Sequence, residues 1–122
     1  MLKRLLIVED EETLRESLKR VFIRDGYEVD SVGSSEAALK TISDTCYDLV
    51  ISDIVLPGIN GIAFLKRCKE NNPDLKVIII TAFASIETAV EAIRAGAYDY
   101  IVKPVIHEQI KNAVRKALNE NG

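Results

Sequence analysis

Five chemically capable side chains recur where apolar runs end. Glu9 and Asp10 follow the run at 5–8, Asp53 follows 48–51, Thr81 follows 77–80 and Lys103 follows 100–102. Three carboxylates, a hydroxyl and an ammonium suit phosphate and hard-metal chemistry, provided the fold gathers them. Two carboxylates ~5 Å apart repel by roughly 3 kcal/mol at an effective dielectric of ~20, and a third adds to this. Such a pocket must raise a pKa, hold the lysine close or bind a cation. An oxygen-only site favours Mg²⁺ or Ca²⁺ over zinc, and Mg²⁺ commonly takes one or two carboxylates, waters and a substrate phosphate. An ionised carboxylate is already nucleophilic and can form an aspartyl phosphate without a general base. None is in evidence: the only histidine, His107, falls in the last helical pattern and reads as an ordinary first-turn residue.

The elements that would position these groups are legible as alternating patterns. Residues 5–8 read as a strand buried on both faces. Leu14, Leu18, Val21 and Phe22 recur at helical spacing, and Gly26 closes that helix. Residues 27–32 form the second strand, Ser34 or Ser35 caps a helix running to Asp44, and 48–51 form the third strand. The segment 56–61 has the turn chemistry of a loop, with Gly58 and Gly61 expected to supply backbone freedom. A helix over 62–70 follows, then the strand 77–80, a helix marked by Ile86, Ala89, Val90 and Ile93 and stopped by Gly96, and the strand 100–102. Ile106, Ile110, Ala113, Val114 and Ala117 mark the last helix, which frays over 119–122.

Five strands alternating with five helices predict an α/β, flavodoxin-like, doubly wound parallel sheet of order 2-1-3-4-5 in a three-layer sandwich. Its ligand crevice lies at the carboxyl ends of the first and third strands. With 122 residues the chain is read as one domain, 1–122, with a core over about 4–118. A net charge of -3 argues against direct nucleic-acid binding. No apolar stretch approaches a membrane span, and the start is too short for a signal peptide. Cys46 and Cys68 lack metal or redox spacing and read as free thiols of a reducing cytoplasm.

Taken singly, each group has a plainer reading. Asp10 would be a helix cap, Asp53 a turn residue, Thr81 a strand end and Lys103 surface. Tyr100 would be core with a wet hydroxyl, and Asp48 and Asp99, which precede strands, would be solvated at the opposite edge. The grouping Glu9, Asp10 and Asp53 outweighs the plain readings.

The segments Ile7-Val8-Glu9-Asp10, Ser52-Asp53, Leu56-Pro57-Gly58 with Asn60-Gly61, Ile80-Thr81-Ala82 and Tyr100-Ile101-Val102-Lys103-Pro104 resemble, in order and spacing, the receiver domains of two-component response regulators. The resemblance spans residues 5–117. It implies Asp53 as phosphoacceptor, aided by Lys103 and Thr81. It implies Mg²⁺, replaceable by Mn²⁺, held by Asp10, Asp53 and the Val55 carbonyl, with Glu9 acting through water. It implies a switch pair of Thr81 and Tyr100 and a cis bond between Lys103 and Pro104. The implied partners are a sensor histidine kinase or histidine phosphotransfer domain, and an output domain or second protomer at the fourth helix, fifth strand and last helix. The domain would catalyse its own phosphorylation and slow dephosphorylation without being a turnover enzyme.

The stretch 81–100 is similar to receivers of nitrogen-regulator-like (NtrC-type) activators, which implies an input domain for transcription regulation. A receiver of a hybrid sensor kinase, or a stand-alone one, is the alternative. Two other classes fit less well. A haloacid-dehalogenase-like phosphotransferase needs a second aspartate where Val55 stands, and a flavodoxin-like FMN binder needs a phosphate loop where residues 9–12 are all acidic.

Overall fold

The structure, a computed structural model, describes residues 2–118. Among them β1 (Arg4–Val8), α1 (Glu12–Arg24), β2 (Glu28–Val32), α2 (Ser35–Asp44) and β3 (Leu49–Asp53) are followed by α3 (Gly61–Asn71), β4 (Lys76–Thr81), α4 (Ile86–Arg94), β5 (Asp99–Val102) and α5 (His107–Ala117). The expected fraying over 119–122 lies outside the described residues. All strand pairs are parallel, and the sheet order is β2-β1-β3-β4-β5. This is the predicted doubly wound α/β architecture.

The apolar runs are continuous because the central strands are covered on both sides. Leu5, Ile7, Leu49, Ile51, Ile78 and Ile80 pack with Leu18 and Phe22 of α1 and with Ile110 and Val114 of α5. The alternate residues, Leu6, Val8, Val50, Val77 and Ile79, pack with Ala38 of α2, Phe64, Leu65 and Cys68 of α3 and Ala92 of α4. Period-two alternation thus splits one sheet between two cores, with α1 and α5 on one face and α2, α3 and α4 on the other.

Side-chain caps start the three helices of the second face. Ser34 accepts from the Ala37 N–H, Asn60 from the Ala63 N–H, and Ser85 from the Thr88 N–H. Thr88 returns the bond to the Ser85 N–H, closing a reciprocal capping box. Gly26 and Gly96 end α1 and α4 at φ 95° and 107°, in the left-handed region that favours glycine.

Two features depart from the sequence reading. The strands run further than 48–51 and 77–80, so Asp53 and Thr81 are the last residues of β3 and β4, paired with Ile80 and Val102. The apolar spacing also located α4 without indicating its buried face. Ile86 is 84% exposed, Val90 42% and Ile93 53%, while the small Ala92 faces the core. Ile106 likewise precedes α5 and is exposed.

Candidate functional site

The parallel sheet brings Glu9, Asp53, Thr81 and Lys103 to one edge from four strands. Glu9 follows β1 directly and is fully buried. Its N–H donates to the Val32 carbonyl (3.1 Å), and its Oε2 accepts from the Glu11 N–H (2.9 Å). Asp10, next along the chain, is exposed. Asp53 is 5% exposed, and its Oδ1 accepts from the Val55 N–H (3.2 Å). Lys103 reaches back from the far side of the crevice. Its Nζ lies 2.7 Å from Asp53 Oδ2 and 2.8 Å from Glu9 Oε1. Thr81 is buried, and its Oγ1 accepts from the Phe83 N–H (3.0 Å).

One ammonium therefore serves two acids, and the geometry is unequal. The contact to Asp53 is a hydrogen bond, whereas Glu9 Oε1 meets the ammonium only as an ion pair at 2.8 Å, and it has no hydrogen-bond partner. Burial pushes the Glu9 carboxyl above the usual carboxylate range, opposed by Lys103 and the Glu11 N–H. Burial also acts to lower the Lys103 pKa, but the contacts with the carboxylates of Asp53 and Glu9 outweigh it and leave the ammonium raised. One oxygen from each of Glu9, Asp10 and Asp53 lies within 4.8 Å of the other two. A buried carboxylate oxygen without a hydrogen bond, in a set of hard oxygen donors, fits a small divalent cation.

The loop after β3 is held from beneath. The Ser35 hydroxyl contacts the Pro57 and Ile59 carbonyls (3.1 and 2.7 Å), and the Gly61 N–H donates to the Ile54 carbonyl (2.7 Å). Gly58 supplies the expected freedom, at φ 91°. Gly61 does not. It is glycine for space, since a Cβ there would collide with the Asp53 carbonyl and lie 2.5 Å from Ile54 Cα. The Lys103–Pro104 bond is cis.

Tyr100 is half-buried, and its hydroxyl bonds Thr88 Oγ1 at 2.8 Å, tying β5 to the first turn of α4. Thr88 was missed in the sequence, although the Ser85-x-x-Thr88 spacing carries the signal of a cap. Arg15 was missed too. Its Nη1 donates to the Glu9 carbonyl (2.9 Å), with a longer contact to the Asp10 carbonyl (3.5 Å), yet in sequence it reads as one more polar residue of a helix surface. His107 is the exposed first residue of α5, as expected. Asp48 lies exposed at the opposite edge, accepting from the Arg4 N–H. Asp99 is half-buried rather than solvated, and its Oδ1 accepts from the Tyr100 N–H. Cys46 is exposed, Cys68 is buried and both are free.

Residues 5–115 match the family model of the response regulator receiver domain. The chain belongs to that family. The receiver is 38% identical over 117 residues to the regulatory protein AtoC of Escherichia coli K12, covering 96% of this chain and 25% of AtoC. It is 33% identical over 117 residues to the DNA-binding transcriptional regulator NtrC of Azospirillum brasilense, covering 96% of this chain and 24% of that regulator. The NtrC-type resemblance is thus reproduced among full-length relatives, of whose length the receiver spans about a quarter. A CheY-like receiver domain protein from Methanospirillum hungatei superposes with a TM-score of 0.95 at 33% identity, over 98% of this chain and 96% of that one. Receiver domains bind Mg²⁺ through an acidic pocket, and Glu9, Asp10 and Asp53 form such a cluster here. No helix among the described residues is long and apolar enough to cross a membrane.

Proposed function

We propose that this receiver takes a phosphoryl group onto Asp53 from a phosphohistidine on a sensor kinase or phosphotransfer domain in the cytoplasm. The observation that carries the reading is Asp53 itself, nearly buried at the end of β3, bonded to Lys103 and within ligand reach of Glu9 and Asp10. A carboxylate oxygen of Asp53 attacks phosphorus, the P–N bond breaks, and its electron pair leaves with the donor imidazole. Asp10, Asp53 and the Val55 carbonyl would hold Mg²⁺ or Mn²⁺ directly, and Glu9 through water. The metal supplies charge neutralisation for the phosphoryl oxygens. Lys103 adds a second positive charge, and Thr81 offers a hydroxyl to one oxygen once it releases the Phe83 N–H. Positioning and charge do the work, so the domain modifies itself and turns over no free substrate.

The output follows the same geometry. Thr81 drawn toward the phosphoryl group vacates space for Tyr100, and a Tyr100 that turns inward leaves Thr88 and the capped start of α4. This biases the α4–β5–α5 face toward a partner, either an output domain of a transcription regulator or a second protomer.

Intact mass after incubation with acetyl phosphate tests the reading. The expected result is one added phosphoryl group, dependent on Mg²⁺, in wild type and none in Asp53→Asn. Full labelling of Asp53→Asn, or labelling indifferent to EDTA, overturns it.

A further inference from the structure

The turn that carries Glu9 and Asp10 is gripped by a cation that ignores the acids. Arg15, one turn into α1, sends Nη1 to the Glu9 carbonyl at 2.9 Å and reaches the Asp10 carbonyl at 3.5 Å. Among the described residues its guanidinium forms no ion pair, although the carbonyls it reaches belong to two acidic residues. Its own backbone N–H donates to the Glu11 carbonyl at 3.0 Å. The Glu9–Asp10 segment is thereby fixed on several sides: the Glu9 N–H by Val32, the carbonyls by Arg15, and the Glu9 side chain by the Glu11 N–H.

Gly33 lies on the open side of this grip. It is not among the glycines with positive φ, so backbone freedom does not explain it. Space does. A Cβ at position 33 would sit 3.2 Å from Arg15 Nη1 and 4.0 Å from the Glu9 carbonyl oxygen. The side-chain end would have to give way by a few tenths of an ångström, which strains its bond to Glu9.

We propose that Arg15 is a positioning residue for the two adjacent acids, fixing through their carbonyls the turn that presents Glu9 and Asp10 to a divalent cation, and that Gly33 is glycine to leave room for it. The inference rests on the metal-dependent reading given above. It makes a prediction opposite in sign to simple electrostatics. Removing a cation beside an acidic pocket should by charge alone tighten Mg²⁺. Loosening the support of metal ligands should weaken it, typically by 10–100-fold.

The test is Mg²⁺ affinity, measured directly by calorimetric titration of the unphosphorylated protein, with thermal unfolding in EDTA as the check on folding. Arg15→Met should bind about tenfold more weakly than wild type. Arg15→Lys, which keeps a charge and a donor, should fall between them. Gly33→Ala changes no charge and should weaken binding in the same direction, so it carries the test if Arg15→Met does not fold. The double variant should bind no more weakly than the weaker single one, because both act on the same contact. Unchanged or tighter binding in Arg15→Met and Gly33→Ala, with wild type binding, overturns the inference. Fully additive losses overturn it as well. A wild type that binds no Mg²⁺ overturns the underlying functional reading instead.

Discussion

The two edges of the sheet use the same chemical groups to opposite ends. At the amino edge Arg4 pairs with Glu28 at 2.9 Å, their side chains 41% and 50% exposed. At the carboxyl edge Lys103 pairs with Glu9 and Asp53 at similar distances, but these side chains are 18%, 0% and 7% exposed. Water screens the first pair and leaves its ions close to their solution energies. The second cluster has given up water, holds more acid than base and leaves Glu9 Oε1 without a hydrogen bond. Distance alone does not separate a surface ion pair from a reactive site. Burial and an unbalanced charge count do.

The largest expected effect comes from the backbone under the buried cluster. Gly61→Ala should cost about 3 kcal/mol of stability in chemical denaturation, since the methyl meets the Asp53 carbonyl. Lys103→Met comes next. It leaves two buried acids without a counter-charge and should destabilise the metal-free protein by about 3 kcal/mol, a loss that Mg²⁺ partly restores. Glu9→Gln works in the other direction. It should raise metal-free stability by about 1 kcal/mol while weakening Mg²⁺ binding. The sign follows from the raised carboxyl. Glu9 favours folding below its unfolded pKa near 4.5, and that contribution is lost as pH rises through its higher folded value. The advantage of Gln should therefore be absent in acid and open as pH increases, as read from unfolding midpoints across pH. At the amino edge, Glu28→Ala should cost less than any of these, and the difference from wild type should shrink in high salt.

The smallest perturbation uses the cysteines as reporters. Cys46 is exposed at the open edge, near Arg4 and Glu28, whereas Cys68 is 1% exposed with burial pushing its thiol up to about 12. Cys46 should react with a maleimide in the native protein, and Cys68 only on unfolding, as mass spectrometry would show.

What could be read from the residues alone follows from which forces are local. Strands buried on both faces announce themselves as uninterrupted apolar runs, so the sheet and the carboxyl-edge positions of Glu9, Asp53, Thr81 and Lys103 were accessible. Helical spacing is different. It finds a stripe but not what the stripe faces, and so Ile86, Val90 and Ile93 placed α4 without disclosing that they point outward. Arg15 was out of reach because its partners are backbone carbonyls, which every residue has and no residue type signals. Gly61 shows a related limit: its position beside the site was evident, but a collision with a carbonyl eight residues earlier appears only in three dimensions.

The outward apolar face of α4 also says how firmly that helix is moored. Its one buried residue is an alanine, and its first turn hangs on Ser85, Thr88 and the Tyr100 hydroxyl. Such a helix can swing or partly unwind without breaking either core, because almost none of the core belongs to it. Its amide protons should accordingly trade with deuterium sooner than those of α3, whose Ile62, Phe64, Leu65 and Cys68 are all interior.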